Sequence, residues 1–281
     1  MTSVEIPVIE MGRSADKDFT AAFGEALEIY GFASIVGHGV PARHIRNVYE
    51  AAVNVFALPE EEKRKHCTPE NGGATGHTPF GTEHAKDDPR PDLKEFWHVM
   101  RSGFIFENLW PHQVPEFEGA CRTLYHDLDR FAMRLLEALG VHLYDDAAHL
   151  RDMAKGGNSL LRVLHYPPVP KGVDGMRAAP HEDINFITLL PAASAEGLEV
   201  KLGDAWIPVH NPPDAIVVQS CDMLAMHTFG RMPSMSHRVV NPTDTTTSRY
   251  SMPFFVHPRS EVPLVTAGDY LQHRLKEIGL K

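Results

Sequence analysis

SMSHRVVNPTDTTTSRYSMPFF, residues 234–255, decides how the second half of this chain folds. Two short runs rich in β-branched, aromatic and apolar residues flank NPTDTTT, whose Asn, Pro, Asp and Thr content suits a turn. If Asn241 to Thr247 is a hairpin loop centred on Asp244, counting outward sets His237 opposite Ser251 and Val239 opposite Arg249. Side chains on a strand alternate between its faces, so His237, Arg249 and Ser251 are expected on one face of that hairpin. An imidazole, a guanidinium and a hydroxyl together form a candidate site.

Outward from this segment the same texture continues. LLRVLHY, HEDINFITLL, LEVKL, AWIPV, AIVVQ and DMLAMH are short runs, several β-rich, separated by Pro, Gly or Asp, the pattern of a β-sandwich or jelly roll. In HEDINFITLL, His181 and Asp183 lie two residues apart. On a strand rising about 3.4 Å per residue, that spacing puts them on one face, roughly 6–7 Å apart. With 17 histidines in the chain, roughly one His-x-Asp is expected by chance, so the pair carries weight only beside His237. Two imidazoles and one carboxylate would leave open positions on an ion, as dioxygen and a chelating 2-oxo acid require, and the set suits iron(II). The far carboxylate of a five-carbon diacid would then meet the planar fork of Arg249 and the hydroxyl of Ser251.

The first half of the chain is helical around short strands. Phe19, Ala22, Phe23, Ala26, Leu27 and Tyr30 recur at helical spacing, and Gly31 stands where a C-terminal cap belongs. GFASIV is a short strand. Pro41 opens a second helix with Ile45, Val48, Ala52 and Val55 as its apolar stripe. Residues 68–91 hold dense Gly, Pro and charge punctuation and are expected to form a long surface loop. A third helix carries Leu124, Leu128, Phe131, Leu135 and Leu139 on one side and is expected to end at Gly140.

Composition bounds the function. A 281-residue chain that is 43% hydrophobic can fill a substantial core. Cys67, Cys121 and Cys221 are odd in number and widely spaced, which argues against a disulfide framework or a thiolate zinc site. The formal charge of −10 disfavours general binding to nucleic acid or anionic membranes. No stretch approaches the ~20 apolar residues of a membrane span, and the N-terminus has no signal-peptide core. The expected partner is a small molecule and the expected compartment the cytoplasm.

These segments, taken in order, resemble the isopenicillin N synthase-like family of iron(II) and 2-oxoglutarate-dependent dioxygenases along nearly the whole chain. GFASIVGHGV is similar to the family's GFF-x-V-x-NHGV, and FALPEEEKRK to its F-x-LP-x-EEK. DLKEF, LRVLHYPPVP, HEDINFITLL, the GLEV and AWIPV pair, DMLAMHTFGRMPSMSHRV, RYSMPFF and the terminal TAGDYL follow in the family's sequence. The resemblance implies a mixed α+β fold whose core is a double-stranded β-helix, or jelly roll, flanked by helices. It implies one oxygenase unit over 1–281: a mainly helical region 1–157, a core 158–258 and a C-terminal helical segment 259–281.

By position, the resemblance implies iron ligation by His181, Asp183 and His237, and 2-oxoglutarate binding by Arg249, Ser251 and Tyr166. His77, Phe80, Trp97 and His98 fall where the family draws substrate contacts. The implied reaction consumes dioxygen and 2-oxoglutarate, releases succinate and carbon dioxide, and hydroxylates, desaturates or cyclises a small molecule. Two alternatives stay open: an oxidase of the same fold that grips its substrate's carboxylate with Arg249 and Ser251, and a catalytically silent sensor of 2-oxoglutarate or another metabolite. Leu164 departs from the pattern, standing where the family usually has Asn. His165, facing away from Tyr166 on a strand, is expected to be structural.

Overall fold

The computed structural model describes residues 6–12, 16–86, 88–169, 173–264, 271 and 275–276. Thirteen strands among the described residues make two sheets. The large sheet runs in the order β1 (Val8–Glu10), β2 (Phe32–Val36), β10 (Ile216–Ser220), β7 (Ile187–Pro191), β13 (Phe254–Val256), β5 (Leu160–Tyr166), β4 (Glu95–Met100) and β3 (Gly76–Thr78). A further strand, β12 (Arg249–Ser251), also pairs with β5. The small sheet runs β6 (Ala178–His181), β11 (His237–Val239), β8 (Leu198–Leu202) and β9 (Ala205–Pro208). The two sheets form the jelly-roll core of a mixed α+β fold, with a cavity between them.

The expected hairpin does not form. β11 pairs with β6 and β8 in the small sheet, whereas β12 pairs with β5 in the large one. A turn does sit at Asp244, whose Oδ1 accepts from the Thr246 backbone and hydroxyl, but it carries the chain from one sheet to the other. His237, Arg249 and Ser251 therefore reach the cavity from facing sheets rather than from one face of a hairpin.

The helices cover the large sheet. Asp16 caps α1 (Lys17–Tyr30) by accepting from the Phe19 N–H at 2.9 Å. Gly31 ends it in the left-handed region at φ 65°, where a Cβ would also strike the Met235 side chain. The next helices are α2 (Ala42–Phe56) and α3 (Glu60–Arg64), and α4 (Glu116–Tyr144) packs on α1, α2 and β13. Leu124, Leu128, Phe131, Leu135 and Leu139 of α4 are all buried there, each stabilising by about 1.5–3 kcal/mol. The helix runs on past Gly140 to Tyr144, and Asp145 takes the left-handed cap. Gly140 has a different duty: a Cβ there would lie 2.4 Å from the Asp146 carbonyl oxygen. Two short helices, α5 (Ala148–Ala154) and α6 (Asp222–His227), complete the set.

Two further expectations need correction or restriction. Residues 68–91 are not simply a surface loop: they contain a 3-10 turn at Pro69–Asn71 and the buried strand β3, and Glu83 is anchored inside by Lys94 and Arg162. Most of 265–281, including TAGDYL up to Tyr270, lies outside the described residues; Leu271, Leu275 and Lys276 are helical.

Candidate active site

His181 is the last residue of β6, and His237, the first of β11, is its cross-strand partner. Their ring centroids are 4.3 Å apart. Asp183 lies just past the end of β6, so the bend after the strand, not strand alternation, brings its carboxylate to the imidazoles. Its Oδ1 is 3.9 Å from the Nε2 of each histidine, and all three ligand atoms lie within 4.8 Å of one another.

Backbone and side-chain partners aim these atoms. His181 Nδ1 donates to the Ala179 carbonyl at 2.7 Å and His237 Nδ1 to the Met235 carbonyl at 3.3 Å. A carbonyl can only accept, so each Nδ1 carries a proton and each ring turns its Nε2 to the centre. Burial, assisted by the neighbouring His181, pushes His237 down to about 4, which keeps it an uncharged donor. Asp183 Oδ2 accepts from the Thr188 hydroxyl at 2.6 Å and from the Gln219 amide, leaving Oδ1 free. Two imidazoles and a carboxylate, with the rest of the centre open to the cavity, fit a ferrous ion.

The second half of the site comes from the large sheet. Arg249 pairs in register with Tyr166, and Ser251 with Leu164. Arg249 is 3% exposed; its Nε donates to the Ala195 carbonyl at 2.9 Å, and its Nη1 has no partner among the described residues. No carboxylate of the described residues pairs with it. A buried guanidinium without an anion is costly, so this orphaned donor fits an acidic ligand entering the cavity. Its Cζ lies 5.1 Å from the Tyr166 ring centroid, and Ser251, Tyr166 and Leu164 line the same cavity.

That cavity has a volume of about 540 Å³. Of the four residues expected at the substrate, His98 lines it. His77 and Trp97 are buried elsewhere, and Phe80 is exposed at 47% and lies outside the lining. Alternation along β4 explains the split: His98 and Met100 face the cavity, whereas Glu95 and Trp97 face the opposite way. Glu95 there accepts from Lys63 (2.6 Å), His77 (2.9 Å) and His165 (2.8 Å), which gives His77 and His165 structural partners.

A charged wall on the cavity side is not expected from the sequence, although DLKEF contributes Asp92 and Lys94 to it and LRVLHYPPVP contributes Arg162. Glu83 meets both Nη atoms of Arg162 at 3.0 Å and Lys94 at 2.6 Å, and Lys94 also meets Asp92 at 2.8 Å. Arg162 Nε donates to His98 Nε2 at 2.7 Å, and His98 Nδ1 donates to the Gly73 carbonyl. Burial and the Arg162 charge push His98 down to about 3, so it stays neutral. Strand alternation from Tyr166 back to Arg162, with the charges of DLKEF, is the signal that points at this wall.

Comparison with known proteins agrees with this geometry. Residues 157–258 match the family model of the 2OG-Fe(II) oxygenase superfamily, and residues 6–114 match that of the non-haem dioxygenase in morphine synthesis N-terminal region. The chain is 30% identical to a 2-oxoglutarate-dependent dioxygenase of Didymella fabae over 89% of this chain and 80% of that protein. It superposes on a 2OG-Fe(II) oxygenase family protein from Caulobacter crescentus with a TM-score of 0.84 and 35% identity, covering 98% and 99% of the two chains. A Neurospora crassa protein solved in complex with alpha-KG and thymine superposes with a TM-score of 0.84 at 25% identity, covering 96% of each chain. The chain belongs to the 2OG-Fe(II) oxygenase superfamily. It is a dioxygenase that uses Fe(II) and 2-oxoglutarate.

Proposed function

We propose that His181, Asp183 and His237 hold the Fe(II), that Arg249, Ser251 and Tyr166 hold the far carboxylate of 2-oxoglutarate, and that a small molecule is oxidised in the adjoining cavity. One observation carries this: a buried guanidinium with no acid among the described residues to pair with it opens onto the cavity where three ligand atoms converge. Dioxygen would supply the oxidising power, with bound Fe(II) and 2-oxoglutarate supplying the electrons that activate it as the cosubstrate is oxidatively decarboxylated to succinate and carbon dioxide.

The chain's own residues position and shield. The Ala179 and Met235 carbonyls fix which nitrogen of each imidazole faces the metal. Thr188 and Gln219 hold Asp183 so that one oxygen stays available. Arg249 offers a planar fork to a carboxylate, and the apolar wall of Leu164, Ala178 and Val239 excludes water beside it. On the cavity side, His98 and Met100 are the members of the β4 segment positioned to touch substrate.

Within the superfamily we assign the chain to the isopenicillin N synthase-like branch on the order of its motifs. Three free cysteines support a reducing, cytoplasmic setting, and no helix among the described residues is long and apolar enough to cross a membrane. Purified, iron-loaded protein incubated with 2-oxoglutarate should form succinate as oxygen is consumed. Oxygen uptake on a carboxylate substrate with no succinate under any condition would transfer Arg249 and Ser251 to the substrate and overturn the cosubstrate assignment.

A further inference from the structure

Arg177 is a second buried guanidinium beside the proposed carboxylate site. It lies just before β6, is 1% exposed, and its Cζ is 6.0 Å from the same Tyr166 ring that Arg249 approaches at 5.1 Å. Its backbone N–H donates to Asn241 Oδ1, its Nη2 donates to the Thr247 carbonyl at 2.8 Å, and its Nε has no partner among the described residues. No carboxylate of the described residues pairs with Arg177 or Arg249. The other buried cations of the cavity wall are different: Lys94 and Arg162 are neutralised by Asp92 and Glu83.

Two cations flank one tyrosine, one from the large sheet and one from the edge of the small sheet, with no described acid between them. Burying a charge unpaired is expensive, and burying two near each other is more so. Burial and the neighbouring Arg249 together hold Arg177 below the usual guanidinium range, the direction expected of cations that repel each other. An anion placed at Arg249 relieves both penalties. Arg177 does not line the cavity, so its effect would act through the field and through Tyr166 rather than by contact.

We infer that Arg177 is a positioning residue whose buried charge strengthens binding of the distal carboxylate of the cosubstrate and so makes the site prefer 2-oxo diacids over 2-oxo monoacids. This rests on Arg249 being the carboxylate anchor. The charge does the work, so lysine should replace arginine in part and neutral glutamine should not, although glutamine can keep a hydrogen bond to Thr247.

The test is equilibrium binding by calorimetry to the full chain loaded with Mn(II), without oxygen. The probes are 2-oxoglutarate and 2-oxopentanoate, in which a methyl group replaces the distal carboxylate. Arg177→Gln should weaken 2-oxoglutarate about tenfold and change 2-oxopentanoate less than about twofold, with Arg177→Lys within about threefold of the parent for both. Equal weakening of both probes, or no weakening of either, would overturn the inference. If the glutamine variant does not fold, the lysine variant decides: a kept diacid preference supports the charge role, a collapsed one overturns it. Arg249→Leu separates the two ideas, since a diacid preference that survives that change removes the anchor itself.

Discussion

The Thr188 hydroxyl donates to Asp183 Oδ2 at 2.6 Å, and this bond from β7 decides which carboxylate oxygen is free to face His181 and His237. Hydrogen bonds to a ligating carboxylate commonly change metal affinity 10–100-fold, roughly. Thr188→Val removes the donor with little change in shape, while the Gln219 amide remains. Metal affinity should fall about tenfold, and Thr188→Ser should restore it. A metal titration showing parental affinity in the valine variant would refute the orienting role.

Metal and cosubstrate binding should come apart under mutation. Asp183→Ala is expected to lose the ion and all turnover, because an open site of three ligands has no spare anion. Arg249→Leu should keep the ion yet lose roughly 2–4 kcal/mol of 2-oxoglutarate affinity. Metal content and 2-oxoglutarate binding, measured on both variants, check this; equal metal loss in the two would contradict it.

Glu95 governs stability rather than chemistry. Its carboxylate is buried and accepts from Lys63, His77 and His165 at once, and Lys63 is itself buried. Glu95→Ala leaves that lysine only the half-exposed Glu60, 3.2 Å away, and removes the acceptor shared by His77 and His165, so it should cost about 3 kcal/mol in denaturant unfolding. Replacing both partners, as in Lys63→Met with Glu95→Leu, should recover a large part of the loss. A single variant as stable as the parent would show that the cluster contributes nothing.

Acid should weaken the metal-free protein before its carboxylates titrate. Burial and Arg162 push His98 down to about 3, so between pH 6.5 and 5 the unfolded chain takes up a proton at this residue that the folded chain refuses. Its contribution is complete above pH 6.5 and is lost as pH falls toward the folded value, at up to about 1.4 kcal/mol per pH unit. His98→Gln should flatten the slope of unfolding free energy across that window. His237, pushed down to about 4, adds a slope of the same sign, which that substitution leaves in place. An unchanged slope in the glutamine variant would rule out His98 as a source.

Local signals were sufficient for a good part of this protein. The apolar spacing and Gly31 predicted α1, Pro41 and its stripe predicted α2, and short β-rich runs predicted a jelly roll, because capping and periodicity act over a few neighbouring residues. The residues proposed from sequence for metal and cosubstrate, His181, Asp183, Tyr166, His237, Arg249 and Ser251, all line one cavity. Strand partnership was beyond such signals. NPTDTTT makes the same turn whether it closes a hairpin or crosses between sheets, and only long-range pairing sends β11 to β6 and β12 to β5. For the same reason Gln219, Glu83 and Arg177 carried no mark in the chain, and Thr188 and Arg162, though inside matched motifs, carried no role. Each matters through a partner distant in sequence or on another element, and burial, which makes those partners necessary, exists only once the sheets have met.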